Sequence, residues 1–254
     1  MGAPALPPDF EPWTFAGGSS AARRDVAGAV REALAAAGSL YGWAAVQPGR
    51  REFTGRGAAF GVTLGGQGVV VRHARHGGLL APLLGDLFWG QPRFYREATL
   101  SRTLTRERVR TPAVLAGVVY RAGPCHRADV VTAAVEGVDL VELFYGERPP
   151  AGAARDAALG AIGALVRRMH DAGFVHPDLQ LRNLLVRGAD GARPEAWLLD
   201  VDTCCPIRAG DDAGRARNLD RLYRSWAKWN RLRGVRLTDH DRAVFSAAYL
   251  ELPR

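Results

Sequence analysis

His176-Pro177-Asp178-Leu179-Gln180-Leu181-Arg182-Asn183-Leu184-Leu185-Val186 is the stretch on which the reading of this 254-residue chain turns. An aspartate follows the histidine by two positions, an asparagine follows the aspartate by five, and the chain then enters an apolar run. Upstream, Leu159, Ile162, Leu165, Val166 and Met169 recur at helical spacing, with Gly173 placed to stop the helix. Downstream, apolar runs at 184–186 and 197–199 enclose a polar turn, the pattern of a hairpin that delivers Leu198-Leu199-Asp200. Singly, these residues read as a turn Asp, a turn Asn and a core His. Together they put two carboxylates and a side-chain amide into one helix-loop-hairpin unit.

That arrangement matches H-x-D-L-x-x-x-N followed by a further Asp, the catalytic loop and metal-binding aspartate of protein-kinase-like enzymes. Phosphoryl transfer from ATP requires a carboxylate within reach of the attacking hydroxyl and oxygen ligands that hold Mg²⁺ against the phosphates. Asp178 is the expected base, with His176 beside it in the catalytic motif. Asn183 and Asp200 are the expected metal ligands.

The front half supplies the remaining parts in order. Glycine-broken, β-prone runs between residues 51 and 73 read as a hairpin plus a third strand. A helical stretch near residues 94–104 follows, then strands at 113–120 and 128–135. Gly55, Arg56 and Gly57 in the hairpin are candidates for a phosphate-covering loop, although the full G-x-G-x-x-G is absent. The third strand ends on Arg72, where a kinase carries its phosphate-binding lysine, and Glu97 on the next helix is placed to pair with it. Lys228 is the only lysine and lies far downstream, so Arg72 must supply this cation if the chain has one. Residues 20–37 carry an amphipathic pattern stopped by Gly38 and read as a helix within an N-terminal extension.

The expected fold is therefore α+β: a bilobal, protein-kinase-like architecture with a five-stranded antiparallel N-lobe sheet and a mostly helical C-lobe. The expected divisions are an extension at 1–50, an N-lobe at 51–135 and a C-lobe at 136–254. No A-P-E element follows Asp202, which argues against a peptide acceptor.

Composition frames this reading. A hydrophobic fraction of 47% excludes a disordered chain, and no run of 18 apolar residues occurs. The first residues lack a signal-peptide pattern, and the three cysteines match neither a disulfide framework nor a zinc site. These features imply a soluble protein of the cytoplasm. The net charge of +8 is almost all arginine in an Ala- and Gly-rich chain, a weak pointer to an anionic partner, and no nucleic-acid partner is expected.

The segments TGRGAAFGV, VVVRHARHGGLL, GDLFWG, RFYREATL, TPAVLAGVVYRAG, RADVVTAAVEGVDL, HPDLQLRNLLV, LLDVDTC and NLDRLYRSWAKW resemble the lipopolysaccharide kinase family, in particular its members acting on 3-deoxy-manno-octulosonic acid (Kdo). Arg72 in place of lysine, followed by His73, is similar to that family. The resemblance implies phosphorylation of the Kdo sugar, at its 4-hydroxyl, in an anionic lipid A precursor at the inner face of the inner membrane. Leu79, Leu80, Leu87, Phe88 and Trp89 are candidates for the membrane-facing surface or for core. A heptose or other small-molecule kinase, and a nucleotide-binding pseudokinase, are the alternatives.

Overall fold

The computed structural model describes residues 6–53, 58–76, 85–189, 191 and 193–251. The chain forms two compact units, Met1–Arg102 with Ala113–Ala134, and Thr103–Pro112 with Val135–Arg254. Gly55, Arg56 and Gly57 lie outside the described residues, as do Leu79 and Leu80.

The first unit is built on an antiparallel sheet. Its strands are β1 (Phe10–Phe15), β2 (Gly18–Arg23), β3 (Arg51–Phe53), β4 (Ala59–Leu64), β5 (Gln67–His73), β6 (Val114–Ala122) and β7 (Cys125–Ala133), in the order β1-β2-β6-β7-β5-β4-β3. Seven strands replace the five expected, because the first residues form a hairpin that extends the sheet beyond β6. The helix expected from residue 20 begins only at Ala27; it is α1 (Ala27–Ala37), ended as expected by Gly38 in the left-handed conformation. The misreading has a physical cause. β2 is Gly-Ser-Ser-Ala-Ala-Arg, small residues of low strand preference that are held extended by pairing on both sides. Gly18 is required there, since a Cβ would stand 1.8 Å from the Val119 carbonyl oxygen.

At its centre this sheet is buried on both faces, which is why β6 is apolar without alternation, whereas the edge strand β3 is exposed. Ala22, Val71, Val118 and Val131 pack with α1 and α2 (Leu40–Ala45) on one face. Their neighbours Ala21, Val119 and Val130 pack on the other against Phe94 and Ala98 of α3 (Arg93–Arg106). Period-two alternation therefore fixes where the polar end of β5 points. Arg72 goes to the α3 face, and His73 to the α1–α2 face.

The second unit is mostly helical: α4 (Leu140–Tyr145), α5 (Gly152–Asp171), α6 (Asp212–Arg233) and α7 (Asp239–Glu251). The expected hairpin is present as β10 (Leu184–Arg187) and β11 (Glu195–Leu198), with β8 (Val138–Asp139) added to its edge. A second small pair joins β9 (Phe174–Val175) to β12 (Cys205–Pro206). α5 and α7 pack closely at Gly163, where a Cβ would meet the Phe245 carbonyl oxygen at 2.4 Å. The three cysteines are free, and among the described residues no helix is long and apolar enough to cross a membrane.

Candidate active site

The loop between β9 and β10 holds the candidate transfer residues, and its shape follows from a few hydrogen bonds. Leu179 N–H donates to the His176 carbonyl at 2.8 Å, and Asn183 N–H donates to that of Gln180 at 2.9 Å. The Asn183 amide Nδ2 donates back to the Asp178 carbonyl at 2.8 Å, which commits the nitrogen and leaves Oδ1 as its acceptor atom. The hairpin then brings the next element alongside: Leu199 N–H donates to the Asn183 carbonyl at 2.9 Å. Asp200 follows in the left-handed conformation (φ 54°, ψ 42°), one of two non-glycine residues with positive φ among those described. Such a backbone persists only where its surroundings hold it, and a β-strand running directly into this turn sets the exposed Asp200 carboxylate at the hairpin's end.

His176 is completely buried, and its Nε2 donates to the Leu199 carbonyl at 3.1 Å. Burial pushes its pKa below the ordinary histidine value, so the ring is neutral and ties the start of the loop to the residue before Asp200. Asp178 is half-buried. Its Oδ1 accepts from Arg221 Nη2 at 2.6 Å and its Oδ2 from Gln180 Nε2 at 3.1 Å.

Helix α6 supplies supports that were not singled out from the sequence. Asn218 Nδ2 donates to the His176 carbonyl at 2.6 Å, while its Oδ1 accepts from His176 N–H at 3.2 Å. The same Oδ1 accepts from His170 Nε2 at 3.0 Å, and Ser225 Oγ accepts from Leu181 N–H at 3.2 Å. Asn218, Arg221 and Ser225 stand three and then four positions apart, one face of a helix. Their spacing on one face was the available signal, on a helix whose other positions are mostly half-buried or exposed.

Oxygen donors from Asn183 and Asp200 suit a hard cation such as Mg²⁺, which takes one or two protein ligands and completes its shell with phosphate and water. Among the described residues no group of three or more His, Cys, Asp and Glu forms a metal cage.

In the first unit, Arg72 and Glu97 form the expected ion pair. Glu97 is 4% exposed, so its charge depends on polar partners, whereas the Arg72 side chain is 29% exposed. On the opposite face His73 bridges two carboxylates, Asp129 Oδ1 at 2.6 Å and Asp86 Oδ2 at 3.0 Å. Asp129 is fully buried, and its Oδ2 accepts from the Tyr120 hydroxyl at 2.7 Å and from Tyr41 N–H at 2.9 Å. The hydrogen bond to Asp129 raises the His73 pKa above its ordinary 6.5, against an opposing effect of burial. The native state therefore holds this proton more tightly than the unfolded chain. The resulting stabilisation is complete below about pH 6.5 and is lost as pH rises through the higher folded value. We expect the melting temperature of the wild-type chain to exceed that of His73→Gln more at about pH 6 than at about pH 9. A pH-independent difference would show that the His73 proton makes no contribution.

A sequence model of the lipopolysaccharide kinase (Kdo/WaaP) family matches residues 43–249. The chain is 33% identical over 190 residues to a protein named 3-deoxy-D-manno-octulosonic acid kinase from Photobacterium profundum, covering 73% of this chain and 75% of that one. A protein of the same name from Vibrio parahaemolyticus is 30% identical over 200 residues, 77% of this chain and 79% of its own. Another from Stenotrophomonas maltophilia is 33% identical over 199 residues, 77% and 76%. The chain belongs to the lipopolysaccharide kinase (Kdo/WaaP) family and is a phosphotransferase acting on a sugar hydroxyl.

Proposed function

We propose that the chain transfers the γ-phosphoryl group of ATP to the 4-hydroxyl of Kdo in a Kdo–lipid A precursor, with Asp178 as base. The observation that carries this reading is the loop geometry: Asn183 bonded to the Asp178 backbone, with Leu199 bonded to Asn183 and Asp200 next in the chain. The names of the relatives support the acceptor. Asp178 takes the hydroxyl proton as the new O–P bond forms and the bond from the γ-phosphorus to ADP breaks. Arg221 and Gln180 orient its carboxylate. Bound Mg²⁺ would neutralise developing phosphate charge, held by Asn183 Oδ1 and Asp200. His176, buried and bonded to the Leu199 carbonyl, is a positioning residue and not one that touches substrate. Gly55, Arg56 and Gly57 keep the role of a phosphate-covering loop.

Arg72 serves as the phosphate clamp of the first unit, oriented by Glu97. Arg72→Ala should lower kcat/KM for ATP about 10- to 100-fold, a loss of roughly 1.4–2.8 kcal/mol. Glu97→Ala should cost less, and the double variant no more than Arg72→Ala, because groups acting as a unit are non-additive. Arg72→Lys keeps the charge but loses the bidentate fork and should recover activity only in part. Steady-state kinetics against ATP checks all four variants; wild-type values in Arg72→Ala would remove the clamp.

Peripheral attachment to the inner face of the membrane is part of the same proposal. Phe88 is buried and stacked on His76 with ring centroids 4.2 Å apart, so it is core, whereas Trp89 is 76% exposed. At the end of α6, Leu232 and Val235 are 58% and 75% exposed. They lie among Lys228, Arg231, Arg233 and Arg236, a segment without acidic residues that suits an anionic lipid surface.

The test is incubation of the purified chain with ATP, Mg²⁺ and Kdo–lipid A. Mass spectrometry should show one added phosphate on the glycolipid, and NMR of the product should place it on the 4-hydroxyl. Phosphate on another hydroxyl would overturn the regiochemistry, and an unmodified lipid the acceptor.

A further inference from the structure

The second unit contains an open cavity of about 660 Å³ whose lining includes none of His176, Asp178, Asn183 and Asp200. Its lining comes from α4 and the turn after it, from the Asp178 loop and from the end of α6. Three arginines line it, Arg148, Arg182 and Arg233, together with Glu142, Glu147 and Tyr145.

Arg182 connects this cavity to the chemistry. It lies four positions after Asp178 and directly before Asn183, so the loop that carries the base also carries a wall of the cavity. Its guanidinium stands 5.2 Å from the ring centre of Trp229, a cation–π contact that restricts the side chain. Trp229 lies on α6, the helix that sends Arg221 to Asp178 and Arg233 to the cavity. Tyr145 packs 6.1 Å from Trp229 and donates its hydroxyl to Asn230 Oδ1 at 2.6 Å. Base and cavity are thus held by one loop and one helix.

The chemistry of the lining selects a ligand class. Val138, Val141 and Leu143 supply an apolar part of the lining, and the five charged side chains supply groups that fix and select a polar ligand. Arginine forks bind carboxylate or phosphate oxygens in pairs, while glutamates accept hydrogen bonds from hydroxyl groups. Guanidinium, carboxylate and aromatic groups around one space fit a polyhydroxylated anion.

We propose that this cavity is the acceptor subsite, and that Arg182 and Arg233 bind the anionic oxygens of an acidic sugar, from its carboxylate or from a neighbouring phosphate. The assignment rests on the phosphotransferase reading above and adds the residues that recognise the acceptor.

The test compares Arg182→Gln and Arg233→Gln with Arg217→Gln, an exposed arginine on the same helix that does not line the cavity. Two acceptors are used: the methyl glycoside of 3-deoxy-manno-octulosonic acid, which has a carboxylate and no phosphate, and Kdo–lipid A, which has both. The two cavity variants should raise acceptor KM about tenfold or more while ATP KM stays within about twofold, and Arg217→Gln should change neither. An effect on the glycoside identifies the carboxylate as the bound group; an effect on the lipid alone identifies the phosphate. Unchanged acceptor KM for both in folded variants, or an equal rise in Arg217→Gln, overturns the subsite. Calorimetric titration of the same acceptors in the absence of ATP separates the two readings. If the wild-type chain binds an acceptor without phosphorylating it and the cavity variants lose that binding, the subsite stands and the transfer reading fails. If the wild-type chain binds neither acceptor, the subsite fails by itself.

Discussion

Asp178→Asn should lower the rate of phosphoryl transfer by roughly 10² to 10⁴ and leave ATP binding near its wild-type strength. The substitution is nearly isosteric, so the loop should survive it: Asn183 bonds to the backbone carbonyl of residue 178, which the change does not touch. The new amide can still accept from Arg221 through its oxygen, although this bond loses its charge assistance. What it cannot do is take a proton. The loss should therefore fall on kcat, with KM for ATP little changed. Stopped-time product assays together with ATP-induced thermal shifts check both halves. Near-normal turnover would remove Asp178 from the role of base, and loss of the thermal shift would mean that the loop itself had changed.

The second large effect belongs to Asp200. Asp200→Ala should abolish Mg²⁺-dependent ATP binding and reduce kcat/KM on the order of 10³-fold, the scale of several kcal/mol of charge stabilisation. Alanine also tolerates the left-handed backbone less well than aspartate, at about 1 kcal/mol. Asp200→Asn separates the two causes, because asparagine adopts this conformation readily while removing the anionic ligand. Both variants should lose the Mg²⁺-dependent part of the ATP thermal shift, but only Asp200→Ala should melt earlier without ligand. Retention of that shift in Asp200→Asn would assign the metal to other oxygen donors.

How much of this was legible in the sequence varied with the locality of the cause. The loop and its hairpin were legible because short-range pattern decides them: a helix stopped at Gly173, two apolar runs and a polar turn. The Arg72–Glu97 pair was legible for a similar reason, since strand alternation and helix position together fix the partners. The β1–β2 hairpin was not. Ser19, Ser20, Ala21 and Ala22 have no strand preference of their own, and the sheet holds them extended through pairing with residues nearly a hundred positions away. The α6 stripe was missed for the same kind of reason. Asn218, Arg221 and Ser225 look like the solvated face of a basic helix until the fold sets that face against the Asp178 loop. His176 illustrates a third case: its place in the motif was clear from the sequence, but only burial shows that it holds the loop from within.

The central claim is that this chain moves the γ-phosphoryl group of ATP onto Kdo by way of Asp178. The most direct measurement supplies γ-labelled ATP and Mg²⁺ with an equal mixture of Kdo–lipid A and a heptosylated core lipid, and follows the label into each product for wild type and Asp178→Asn. The account predicts label on the Kdo of Kdo–lipid A with the wild-type chain and roughly 10²-fold less or lower with the variant. Label confined to heptose or released as inorganic phosphate, or transfer to Kdo that is equal in the two proteins, would contradict it.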